Sequence, residues 1–156
     1  MANKKSDVKA KLAYTQELIR RGYQNPRITS APSDIQAILN GVIHFFEVKM
    51  TKRENTYFGA ATTTEWAQAL KTPDRYHFVV VQTDDEEKEF RFREYTPEEF
   101  LQFSTIPPFK VFFNLPLTPT QKKPSRKKSK ALRATKENLS QLIGIYKELK
   151  AESENE

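Results

Sequence analysis

Three side chains in this chain have the types and spacing to do chemistry together: Asp34, Glu47 and Lys49. Glu47 and Lys49 flank Val48 at the end of the apolar run Val42-Ile43-His44-Phe45-Phe46. Side chains alternate across a strand, so Glu47 and Lys49 share one face. Asp34 opens a second run, Ile35 to Leu39, and Asn40-Gly41 between the two runs is a strong two-residue hairpin signal. Counting back from that turn sets Ile38 opposite Ile43 and Asp34 opposite Glu47. Two carboxylates and one ammonium then meet at one end of a sheet. Such a pair of carboxylates can hold Mg²⁺ (or Mn²⁺) and leave other positions to water and a phosphate oxygen. The ion would neutralise phosphate charge and help ionise the water, the requirements of phosphodiester hydrolysis. Lys49 would orient or deprotonate that water and stabilise the pentacovalent phosphorus. For the deprotonating role its affinity for protons is expected to be depressed.

The elements that must position these residues can be read along the chain. Val8, Leu12, Thr15, Leu18 and Ile19 recur at helical spacing, which predicts a helix over 7–21 with Gly22 at its C-terminal end. Tyr23 to Ala31 is expected to be irregular or partly extended. The run over 42–49 is apolar on both faces until Glu47, as befits a central strand. Thr62 and Glu65 form a capping box for a helix over 62–70. Tyr76 to Gln82 reads as a buried strand. Phe90 to Arg93 forms a short strand, and Thr96 with Glu99 and Pro97 opens a short helix to Phe103. Lys110 to Asn114 is expected as an edge strand. A last helix is expected over 135–151, with Leu139, Leu142, Ile143, Tyr146 and Leu149 along one face, followed by an acidic, unstructured tail. The expected fold class is α/β (α+β), a central mixed sheet flanked by helices, plus a C-terminal helix. The expected division is a domain over 1–119, a basic linker over 120–134 and a helical tail over 135–156.

Composition narrows the function classes. The chain has 156 residues, the size of one domain, and 37% are hydrophobic. There is no cysteine, which removes disulfides, thiolate metal sites and a Cys nucleophile. Only His44 and His77 are available as imidazole ligands. His44 falls on the face opposite Glu47 and reads as a core histidine, while His77 shows no partner pattern. No apolar run approaches the ~20 residues of a membrane span, and the N-terminus lacks a signal-peptide core, so a cytoplasmic location is expected. The net charge is +6, from 26 bases and 20 acids. Lys122, Lys123, Arg126, Lys127, Lys128, Lys130 and Arg133 make up seven of those bases, leaving 19 against 20 acids elsewhere. The excess is therefore one local segment, and it fits either a nucleic-acid contact, with DNA the expected partner, or a solvated linker.

Pro32, Asp34, Glu47 and Lys49 resemble the signature of the PD-(D/E)XK nucleases, whose restriction-endonuclease-like core is also found in Holliday-junction resolvases. A closer resemblance is to the nuclease-like domain at the C-terminus of the plant NO VEIN protein. Its pattern is matched by Glu17 and Gly22, Asp34-Ile35, Glu47-Val48-Lys49-Met50-Thr51, Thr62 to Trp66, and Tyr76 to Val81. Ser33 departs from the glycine or aromatic common before the aspartate, and the loop Lys52 to Ala61 is long. The resemblance implies a Mg²⁺-dependent endonuclease of a restriction, defence or repair type. Its metal ligands would be Asp34, Glu47 and the backbone carbonyl of Val48. The alternative is a nuclease-fold module that binds DNA or a protein without cutting. Glu17 is a candidate third acid and equally fits a surface position. Glu65 has a sufficient explanation as a cap. Gln68, one turn further on, is a candidate contact to site or DNA. The C-terminal helix is expected to dock on its own domain or on a second copy, and a homodimer would supply the two sites that cutting a duplex needs.

Overall fold

The computed structural model describes residues 4–118 and 131–155. Its first unit, Met1–Thr105, is organised by one five-stranded sheet in the order β1-β2-β3-β4-β5. The strands are β1 (Gln24–Ile28), β2 (Ile35–Leu39), β3 (Val42–Thr51), β4 (Tyr76–Thr83) and β5 (Phe90–Tyr95). Neighbours are antiparallel except β3 and β4, which run parallel through the crossover helix α2 (Thr63–Lys71). Helix α1 (Lys4–Arg20) precedes the sheet and α3 (Pro97–Leu101) follows it. The expected mixed sheet flanked by helices is thus what forms.

The β2–β3 turn is why the sheet has its register. Asn40 and Gly41 both take positive φ, 51° and 77°, the backbone of a two-residue hairpin turn that matches strand twist. Ile38 then pairs with Ile43 and Ile35 with Phe46. Alternation along β3 sends Phe46 and Val48 to one face and Phe45, Glu47 and Lys49 to the other. On the first face, Phe46, Val48, Val79 and Val81 pack beneath Ala10, Tyr14 and Leu18 of α1. On the second, Tyr76 and Phe78 pack with Ala69 and Trp66 of α2 and Phe100 of α3. Both expected capping boxes close, Thr62 with Glu65 and Thr96 with Glu99.

Several expectations are corrected. The buried stripe of α1 is Ala10, Tyr14 and Leu18, four residues apart, whereas Val8, Leu12 and Ile19 are exposed. Tyr14 can replace an aliphatic residue there because its hydroxyl finds an acceptor in Glu94 at 2.5 Å. The segment after Gly22, expected to be irregular or partly extended, contains β1, an edge strand with a bulge between Gln24 and Arg27. Lys110 to Asn114 forms no strand.

The second unit is Ile106–Glu156. Its helix α4 spans Lys136–Glu154 and is capped by Thr135 and Asn138. It therefore takes up most of the acidic tail expected to be unstructured. No residue of α4 is buried. Phe109 meets Tyr146 edge-on, with ring centroids 6.3 Å apart.

Candidate functional site

The hairpin register sets Asp34, one step beyond the Ile35–Phe46 pair, across from Glu47. Asp34 continues past the ladder with its side chain. Its Oδ2 accepts a hydrogen bond from the Val48 N–H at 2.9 Å, and its Oδ1 pairs with Lys11 Nζ at 3.1 Å. Lys11 is also held by Asp7, 2.9 Å away on the preceding turn of α1. The Val48 carbonyl leaves the strand on the same edge as its N–H, toward Asp34. Glu47 is buried, with 8% of its surface exposed. Lys49 Nζ lies 3.8 Å from Glu47 Oε1 and 2.5 Å from Glu65 Oε1.

Glu65 thus has two jobs. Its Oε2 accepts from the Thr62 N–H at 2.9 Å and the Thr62 hydroxyl at 2.8 Å, closing the cap, while Oε1 holds Lys49. Asp34, Glu47, Glu65 and Gln68 line one groove of about 260 Å³, walled by Ser30 to Ser33 and by Thr62 and Thr64. Gln68, one turn of α2 beyond Glu65, lies on the groove wall. A larger hollow of about 460 Å³, bordered by Asn25, Arg27, Gln36 and Ile43, contains no acid and no nucleophile.

The electrostatics follow from crowding acids in a buried corner. Burial first, then the negative charges of Asp34 and Glu65 and hydrogen bonding with both, push the Glu47 carboxyl up to about 9. Burial would also raise Glu65, but the Lys49 ammonium and the Thr62 donors outweigh it and hold Glu65 below its usual value. Burial would lower Lys49, yet the hydrogen bond and charge of Glu65, with the charges of Glu47 and Asp34, raise it. That reverses the depressed proton affinity expected for Lys49. Three carboxyls surround one ammonium, so it stays a cation and is unsuited to deprotonating water.

The donors suit a hard cation. All are oxygens, and two carboxylates with one carbonyl leave room for the several waters Mg²⁺ prefers to keep. Among the described residues, no three His, Asp or Glu side chains converge as a ligand set. One further polar atom stands at the site: Tyr76 Oη is buried and has no hydrogen-bond partner.

Glu17 is placed elsewhere. It binds Arg20 Nη2 at 2.6 Å and Arg21 Nε at 3.0 Å, and these guanidiniums hold its carboxyl near 2. Helix α1 covers the sheet face opposite Glu47, so Glu17 does not join the groove. His44, as expected, is a satisfied histidine. Its Nδ1 meets His77 Nε2 at 2.9 Å, and His77 Nδ1 lies 3.0 Å from Glu94. Those partners of His77 were not anticipated. Lys122, Lys123, Arg126, Lys127, Lys128 and Lys130 lie outside the described residues. Sequence reasoning also missed Lys11 and the second role of Glu65. Only the Thr62–Glu65 spacing signalled the latter, and it signalled a cap.

Fold and site together define a mixed-sheet α/β domain with a carboxyl-lined groove at the end of its central hairpin and a lysine bound to two of those carboxyls. The chain belongs to the family described as Protein NO VEIN, C-terminal, whose family model matches residues 7–93. That match runs from α1 into β5 and includes Asp34, Glu47, Lys49 and Glu65. No curated protein and no solved structure matches it significantly. Among the described residues, no helix is long and apolar enough to cross a membrane.

Proposed function

We propose that this domain is a Mg²⁺-dependent endonuclease of the PD-(D/E)XK type that hydrolyses DNA phosphodiester bonds. The observation that supports it is that Asp34 and Glu47 line one groove, with Lys49 Nζ 3.8 Å from Glu47 Oε1 and the Val48 N–H bonded to Asp34. Asp34, Glu47 and that carbonyl would hold the ion, and Mn²⁺ would suit the same oxygens. When bound, the ion neutralises phosphate charge and promotes ionisation of water. Lys11 pairs with Asp34 Oδ1 while Oδ2 stays on the Val48 N–H, which holds the carboxylate at the strand edge. Lys49 acts as a fixed positive charge for the oxygens of the phosphorus centre, where charge develops during attack. Glu65 anchors that ammonium, and Gln68 stands at the groove wall to contact substrate or water.

A cytoplasmic DNA-processing role, in restriction, defence or repair, belongs to this reading. So does a homodimer using α4, whose apolar residues Leu142, Ile143, Ile145 and Leu149 are exposed. One observation favours a second reading, a module that binds DNA or a protein without cutting. The Lys49 ammonium is already tied to Glu65 at 2.5 Å, and a substrate must compete for it.

Supercoiled plasmid incubated with the protein and Mg²⁺ distinguishes the two. Nicked or linear product is expected, abolished by EDTA and reduced by about 10²–10³ in Lys49→Ala, the usual loss when one charge-stabilising donor is removed. Retarded plasmid that stays intact would support the binding module instead.

A further inference from the structure

Tyr76 begins β4 beside Phe45 in the parallel ladder, on the sheet face that also bears Glu47. Its ring is fully buried, packed edge-on against Phe78 with centroids 5.4 Å apart and clustered with Ala69. Phenylalanine would satisfy all of that packing. The hydroxyl is different. Among the described residues it is the one fully buried side-chain polar atom without a hydrogen-bond partner. The polar groups that act on it are the carboxyls of Glu47, Glu65 and Asp34, with Glu47 foremost and close by, yet no bond of proper geometry closes. A buried hydroxyl left unpaired is unfavourable, and the protein fold by itself gives no reason to keep it.

We infer that Tyr76 is a positioning residue for Glu47, its hydroxyl donating to the Glu47 carboxylate when that carboxylate ligates a divalent ion. The inference rests on the metal-dependent reading above. A ligating carboxylate turns one oxygen to the ion and needs a donor to fix the other. Hydrogen bonds of this outer kind orient the ligand and tune its affinity. Tyr76 Oη is placed to supply one. Of the other nearby groups, the Lys49 ammonium is engaged by Glu65, and the Val48 N–H is engaged by Asp34.

Mn²⁺ binding, read by electron paramagnetic resonance on the full chain, tests this with Tyr76→Phe and with Glu47→Gln as the control that locates the ion. The expected result is Mn²⁺ affinity about 10–100-fold weaker in Tyr76→Phe. In EDTA the same variant should unfold at an equal or higher urea concentration than the wild type, because a partnerless hydroxyl has been removed. A merely structural tyrosine would behave in the opposite way, losing stability without metal and keeping its Mn²⁺ affinity. Equal Mn²⁺ affinity in the two proteins, or a less stable metal-free Tyr76→Phe, overturns the inference while leaving the metal site standing. No Mn²⁺ bound by the wild type at millimolar concentration, or binding that survives Glu47→Gln, overturns the metal reading itself and the inference with it.

Discussion

Glu47→Gln should stabilise the metal-free protein, although it removes a residue at the centre of the candidate site. Gln has nearly the shape of a protonated glutamate and cannot ionise. In the fold, burial and the flanking Asp34 and Glu65 push Glu47 up to about 9, against 4.5 in an unfolded chain. A carboxyl raised in this way binds its proton more tightly folded than unfolded. Its contribution is full below the unfolded value and is lost as pH rises from about 4.5 toward about 9. At pH 7 the unfolded chain has gained roughly 3 kcal/mol by ionising that the folded chain has not, taking about 1.4 kcal/mol per pH unit. Solvent entering the groove screens the flanking charges, which reduces the expected effect to ~1–2 kcal/mol. Urea denaturation in EDTA at pH 5, 7 and 8.5 should show the variant gaining on the wild type as pH rises. The difference between the two proteins is the measurement, because titrations elsewhere in the fold are common to both and cancel. Saturating Mg²⁺ should favour the wild type instead, by up to ~2.7 kcal/mol at a hundredfold excess over Kd. A variant no more stable than the wild type at pH 8.5 in EDTA would refute the picture of a buried acid crowded by Asp34 and Glu65.

The other predictions reach the far side of the sheet and the second unit. Burial would raise Glu94, yet hydrogen bonds from His77 and Tyr14 and the charges of His77 and Arg21 hold it near 2. Its stabilisation is present above the usual carboxylate value and is lost as pH falls toward 2. Glu94→Gln should therefore cost about 1–3 kcal/mol at pH 7, with the difference from wild type shrinking at pH 3, as read by thermal unfolding. Deleting residues 122–133 should flatten the salt dependence of DNA binding by roughly 0.9 log units per lost phosphate contact, while Mn²⁺ affinity stays unchanged. An unaltered slope would mark the segment as a linker only. Light scattering should give a dimer mass for the full chain and a monomer mass for a chain ending at Thr120. A monomeric full chain at micromolar concentration would remove α4 as a dimer interface.

What the sequence by itself determined is what depends on near neighbours along the chain. The Asn40-Gly41 turn and two-residue alternation are local rules, and they suffice to bring Asp34, Glu47 and Lys49 to one end of one hairpin. The capping boxes of α2 and α3 are equally local and formed as read. Tertiary structure decided the rest, because docking an element chooses among faces that the pattern leaves open. The α1 stripe was misread since Tyr14 counts as half polar until Glu94, 80 residues away, accepts its hydroxyl. Lys11 carries no mark of its role until α1 docks over the end of β2 and sets it against Asp34. Glu65 looked complete as a cap because a carboxylate has two oxygens, and only the packing of α2 beside β3 shows where the second one goes. The proton affinity of Lys49 reversed for the same reason. It depends on how many carboxyls surround a single ammonium, and that number is fixed by contacts between elements distant in the chain.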